Sequence, residues 1–202
     1  MFYVMTVRSI SSLFGGPSNG TEYNLEDACK YCGTGAKRVG PMIFDVRSPA
    51  KSALFATLDR EFIVKKELAD EIRGKGIDCT EEVIFKKTGE TIPFEIITPQ
   101  AILPPFSKTT RGYKREDQCK HCGRDGYFDK IDEPLELRYE NLPDILLEKD
   151  VLCTYECFGN SGLREPFKDS VFAAPKHVVS DRIKDIVQKW KTRDVRFEPV
   201  FI

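Results

Sequence analysis

No stretch of apolar residues approaches the roughly 18 needed to cross a bilayer, so a membrane span is not expected. Charge of one sign is lacking as well: 31 Lys and Arg stand against 32 Asp and Glu, a formal charge of -1. That balance removes the broad positive footprint by which proteins settle on a phosphate backbone. Histidine is scarce, with two in 202 residues, and neither belongs to a His-Glu-x-x-His pattern. A Gly-rich phosphate loop and a Gly-x-Ser-x-Gly elbow are also missing, so the expectation is a protein that is not an enzyme. Met1 to Gly16 carries one Arg and a mixed apolar stretch, without the basic, apolar and small-residue regions that make a signal peptide. A cytoplasmic protein is expected.

What the chain does have is cysteine. Seven is an odd number, and four of them fall in two pairs, which suits metal binding in a reducing compartment better than a disulfide framework. The pairs read Cys29-Lys30-Tyr31-Cys32-Gly33 and Cys119-Lys120-His121-Cys122-Gly123, each followed by a second glycine, Gly35 and Gly126. Two residues between cysteines let a tight turn aim both sulfurs at one ion, and the glycine lets peptide N–H groups turn toward the thiolates. Two such knuckles predict one structural zinc held by Cys29, Cys32, Cys119 and Cys122, with no position left for a water nucleophile. Iron with the same four thiolates, a redox-active Cys-x-x-Cys and a pair of disulfides remain alternatives. His121 is expected to support a ligand or face solvent, since two cysteine pairs already fill four positions. Cys79, Cys153 and Cys157 read as small buried hydrophobes.

The organisation expected is α+β or mixed α/β, in two units that form one compact body: residues 1–100 with the first knuckle and 101–202 with the second. Ala53 to Val83 and Ser170 to Val200 can be laid over each other with small gaps, which suggests two related strand-helix-strand units around a shared core. Phe55-Ala56 and Phe172-Ala173 open them, followed by Ile63-Val64 and Val178-Val179. Leu68 and Ile72, then Ile183 and Val187, follow at helical spacing. Helices are expected over Lys65–Arg73, ended by Gly74 and Gly76, and over Asp181–Lys191 with Ser180 as N-cap. Phe2–Val7, Ile77–Phe85 and Val195–Ile202 read as strands. Pro143-Asp144 is placed to open a short helical turn. The Pro-rich Ile92–Gly112 reads as a packed connecting segment, unsuited to a helix or a central strand.

With its two knuckles far apart, the second followed by Leu135-Glu136 and Asn141-Leu142-Pro143-Asp144, then Phe172 and a last helix into Val195-Arg196-Phe197-Glu198-Pro199-Val200, the chain resembles the double-CXXCG motif family of bacterial proteins. Cys153, Cys157 and the Phe158 to Phe167 loop have no counterpart in that pattern. Some members of the family are immunity proteins that neutralise a cognate toxin, so the resemblance implies a cytoplasmic, non-catalytic, zinc-containing protein that binds a protein toxin. For such a protein Arg111, Tyr113, Phe158, Arg164 and Phe167 are candidate contact residues. Two other classes compete. A zinc-ribbon-like nucleic-acid-binding module would draw on Lys37, Arg38, Lys108, Arg111, Lys114 and Arg115. A thiol redox protein would need one reactive, low-pKa cysteine.

Overall fold

The computed structural model describes residues 1–8, 15–47, 50–160, 173–192 and 194–202. In chain order the strands are β1 (Phe2–Val7), β2 (Glu22–Asn24), β3 (Lys37–Val39), β4 (Met42–Phe44), β5 (Leu54–Ala56) and β6 (Phe62–Lys65), followed by helix α1 (Lys66–Gly74). Next come β7 (Thr80–Phe85), β8 (Thr91–Ile97), β9 (Ala101–Ile102), β10 (Tyr113–Arg115) and β11 (Tyr127–Asp129). The short helix α2 (Asp144–Leu147) leads to β12 (Val151–Phe158), β13 (Ala174–Ser180), α3 (Asp181–Lys189) and β14 (Val195–Val200). The fold is mixed α+β, and no helix among the described residues is long and apolar enough to cross a membrane.

Two five-stranded sheets carry the molecule. One has the order β14-β1-β13-β12-β9, the other β4-β7-β8-β6-β5. The first strand of the chain therefore lies inside a sheet otherwise built from the C-terminal half. Its pattern explains why: Phe2 and Val4 point to one apolar cluster and Met5 and Val7 to another, so both faces need cover.

The two helical units share an arrangement. β1 runs antiparallel to both β13 and β14, and β8 runs antiparallel to both β6 and β7. In each sheet the strands joined by the helix are thus parallel and held apart by a third, antiparallel strand. Ile63 and Val64 fall on β6, Val178 and Val179 on β13, and all four are buried. Phe172, which opens the second expected unit, lies outside the described residues. That one unit is a copy of the other is a matter of descent, which a shared arrangement does not establish.

α1 buries Leu68, Ala69 and Ile72, and α3 buries Ile183, Ile186 and Val187. The i, i+3, i+4 spacing puts one stripe of each helix into the same central core, at ~2 kcal/mol for each large aliphatic side chain. Across the helix pair, Trp190 Nε1 donates to Glu71 Oε2 at 2.7 Å. The polar face of α3 is wet, with Asp185 and Lys189 exposed.

Three sequence expectations need correction. Ser180 does sit at the N-cap of α3, but its hydroxyl makes no capping bond; it donates to Asp150 Oδ1 at 2.5 Å, where Arg182 also binds. The carboxylate of Asp150 is buried, and its demand for donors outweighs the cap. That helix also stops at Lys189, and Lys191 turns left-handed at φ 48. Lastly, the Pro-rich segment begins with a central strand: β8 contains Pro93 and lies between β7 and β6. Its pairing with β6 ends at Phe94, and its register against β7 shifts between Glu82 and Ile84. Pro93 therefore sits where neither neighbour needs its missing N–H.

Candidate metal centre

Each cysteine pair caps a two-stranded ribbon. Cys29 and Cys32 lie in the loop between β2 and β3, and Cys119 and Cys122 in the loop between β10 and β11. In both loops the glycine after the second cysteine is left-handed, φ 69 at Gly33 and φ 63 at Gly123. In both its N–H returns to the carbonyl of the first cysteine, at 2.6 Å and 2.9 Å. The equivalent turns differ in how they fix that first cysteine. Cys29 N–H donates to the Thr34 carbonyl at 3.0 Å, whereas Cys119 N–H donates to the carboxylate of Asp125 at 2.8 Å.

The ribbons reach the site from opposite sheets. The first is tied to the β4-containing sheet by Thr21, whose Oγ1 accepts from Ile43 N–H at 3.0 Å, and by Arg38, which pairs with Glu81 at 2.6 Å. The second is tied to β12, where Cys157 N–H donates to the Arg124 carbonyl and Gly126 N–H to the Gly159 carbonyl. Gly126 at φ 75 is forced: a Cβ there would stand 2.4 Å from the Glu116 carbonyl oxygen.

The result is one cluster of four sulfurs, all within 4.8 Å of one another. Cys29 Sγ is 4.0 Å from Cys119 Sγ, and Cys32 Sγ is 3.5 Å from Cys122 Sγ. A tetrahedral ion with ~2.3 Å metal–sulfur bonds requires sulfurs ~3.8 Å apart, which these separations match. They are far beyond the ~2.05 Å of a disulfide. The four cysteines that the sequence singled out are therefore brought together, and they form a group that can hold a metal ion.

Hydrogen bonds to the sulfurs oppose the cost of burying charge, and prevail at one of them. At Cys29 desolvation pushes the thiol up, but backbone N–H groups of Tyr31 and Cys32, with the thiols of Cys32 and Cys122, outweigh it and bring the group down to about 7. Burial raises Cys32 despite the Thr34 backbone and the Thr34 hydroxyl, 3.1 Å from its sulfur. Cys122 is raised in the same way, against a bond from the Arg124 backbone. A cation bound among the sulfurs would favour their deprotonated form and release protons on binding. Thr34, Asp125 and Arg124 were missed from sequence; their signal was position, just past the second cysteine of each pair.

His121 is exposed and stacked on Tyr31, away from the sulfurs, so it is not among the four ligand candidates. Cys79, Cys153 and Cys157 are buried, and burial pushes each thiol up to about 12. Among the candidate contact residues, Arg111 is exposed and Tyr113 half-buried against Phe106 and Tyr127. Phe158 is 2 % exposed and belongs to the core, which removes it as a surface contact. Arg164 and Phe167 lie outside the described residues.

Compared with known protein families, the chain matches no family model, and no curated protein matches it. What the fold and site define is a mixed α+β protein in which two cysteine ribbons, each tied to a different five-stranded sheet, form one four-cysteine group that can hold a metal ion.

Proposed function

We propose that the chain is a zinc-stabilised binding protein without catalytic activity, and that its partner is a cognate bacterial toxin that it neutralises in the cytoplasm. The observation that carries the first half is the closed sulfur cluster. Four thiolates from two ribbons fill a tetrahedron, so a zinc ion there has no position for substrate or water and serves to join the two sheets. The toxin half rests on the resemblance carried by the two Cys-x-x-Cys-Gly segments and the sequence that follows them.

The nucleic-acid alternative loses support, because three of its six basic residues are already paired with acids. Lys37 pairs with Asp27 at 2.7 Å, Arg38 with Glu81 at 2.6 Å and Lys114 with Glu116 at 2.7 Å. A patch neutralised in this way releases few counterions on meeting phosphate. The redox alternative would need two sulfurs free to bond each other, whereas the cluster places all four around one centre.

Elemental analysis of protein purified without added metal, with a thiol count before and after chelation, tests the metal. One zinc per chain is expected, with four thiols reacting only after chelation; a visible absorption band with iron, or four thiols reactive from the start, would overturn it. Survival of a sensitive bacterial strain beside a toxin-producing one tests the partner. Expression of the chain should protect, and the Cys32→Ser variant should not; equal killing with and without the chain would remove the toxin reading and leave the metal centre standing.

A further inference from the structure

Between the two sheets, beside the first knuckle, lies a cavity of about 400 Å³, within the roughly 300–1,000 Å³ of small-molecule sites. Its walls include Ile96, Ile97, Cys153 and Cys157, all buried, with both thiols held protonated by that burial. One buried wall residue is an imidazole. His177 is 4 % exposed and stacked on Phe62 at 4.3 Å, and its ring nitrogens make no well-formed hydrogen bond, only a weak one toward the Ile97 backbone. A buried polar group left unmet costs ~1–3 kcal/mol, which a ligand hydrogen bond would recover.

The charged groups of the cavity fall into two sets. Arg38 faces the acids: it pairs with Glu81 and lies near Glu61, while Asp59 is held by the backbone N–H groups of Gly15 and Gly16. Arg60 and Arg124 have no carboxylate partner among the described residues. Arg60 Nη1 donates to the Phe158 carbonyl at 2.5 Å. Arg124 Nε donates to the Tyr155 carbonyl at 3.2 Å, and its guanidinium lies 4.1 Å over the Tyr155 ring. Both guanidiniums thus lie against the β12 side of the cavity with N–H donors to spare. A guanidinium fork matches a carboxylate in plane and spacing.

We propose that this cavity binds a small, largely apolar carboxylic acid, its carboxylate taken by Arg60 and Arg124 and a second polar group of the ligand hydrogen-bonded to His177. The site is separate from the four sulfurs, although Gly33 to Ala36 and Arg124 contribute to both, so metal loading shapes one of its walls.

The chain's two histidines make the test direct. Metal-loaded protein labelled with ¹⁵N-histidine is titrated with 4-hydroxyphenylpropionate, and with tyramine and 4-propylphenol as cationic and neutral counterparts. The acid should perturb the His177 ring signals saturably and leave those of His121 in place, with both counterparts at least tenfold weaker. Arg60→Gln, a change on an exposed turn, should weaken the acid at least tenfold with metal content unchanged. Tyramine or propylphenol binding as well as the acid, an Arg60→Gln variant with undiminished affinity, or no saturable response at His177 would each overturn the proposal, on unmodified protein in the first and last cases. None of these results bears on the metal content, so failure here and failure of the zinc reading are distinguishable.

Discussion

Tyr31 and His121 lie face to face, ring centroids 3.3 Å apart and planes 4° from parallel. Each is the residue before the second cysteine of its pair. The knuckles therefore meet like position to like position, Cys29 to Cys119, Cys32 to Cys122 and Tyr31 to His121, as an approximate local two-fold would place them. The stack is on the surface, so it assists the meeting of the ribbons without supplying ligands. Tyr31→Ala and His121→Ala should each cost ~0.5–1.5 kcal/mol, with a coupling of that order in a double-mutant cycle. Metal content should stay the same in all three variants. Loss of metal from His121→Ala would show that the ring is a ligand.

Cys32→Ser acts at the other end of the scale. Its sulfur is fully buried and hydrogen-bonded to Thr34, so a hydroxyl there loses both metal affinity and packing. Metal binding to a site absent from the unfolded chain is folding free energy, ~10 kcal/mol or more in isolated zinc-finger peptides. Here two sheets with their own cores retain most of the structure. The expected outcome is metal stoichiometry near zero and a Tm lowered by about 10 °C, corresponding to several kcal/mol at this chain length. Chelation of the unmodified protein should reproduce that Tm, and scanning calorimetry with metal analysis checks both.

The glycines of the second knuckle offer a comparison within a few residues. Gly123 and Gly126 are both left-handed, φ 63 and φ 75, but a Cβ at Gly123 meets nothing within 4 Å. Gly123→Ala should therefore cost only the conformational penalty, ~1–2 kcal/mol. At Gly126 the same Cβ would fall 2.4 Å from the Glu116 carbonyl oxygen and 3.0 Å from Gln118 Cα, on backbone that carries Cys119. Gly126→Ala should cost on the order of 4 kcal/mol and weaken metal retention as well. Chemical denaturation with a competing chelator separates the two; equal destabilisation would show that the close approach does not govern.

Local signals carried the sequence reading furthest. The knuckles were legible because spacing and glycine placement act within five residues, and α1 and α3 because one helical stripe declares itself over three turns. Pro93 hid β8, since the register shift that makes a proline tolerable in a central strand depends on β7, which the local pattern does not reveal. Ser180 had the right position for a cap, but its bond was decided by Asp150, thirty residues earlier in the chain. The cavity was invisible for the same reason: Arg60, Arg124 and His177 come from three distant segments, and no periodicity announces a buried imidazole in a cavity wall.

That imidazole and its neighbour Glu61 set opposing pH responses. Burial pushes His177 down from 6.5 to about 4, against a weak upward pull from the Ile97 backbone. The native state thus resists a proton that the unfolded chain accepts, and stability is lost as pH falls from 6.5 toward 4. Glu61 behaves oppositely. Burial pushes it from 4.5 up to about 7, with Arg38 pulling it down and Asp59 and Glu81 adding to the rise. The native state takes this proton first, so stability is gained as pH falls from 7 toward 4.5. In their shared window the two slopes largely cancel, each with a ceiling of ~3 kcal/mol. Glu61→Gln should uncover the histidine, making stability fall more steeply with acid than in the unmodified protein. His177→Leu should uncover the glutamate, making stability rise over the same interval. Denaturant midpoints between pH 7 and pH 4.5 give both slopes, and variants that leave the profile unchanged would mean that neither group is buried in the charge state assigned to it.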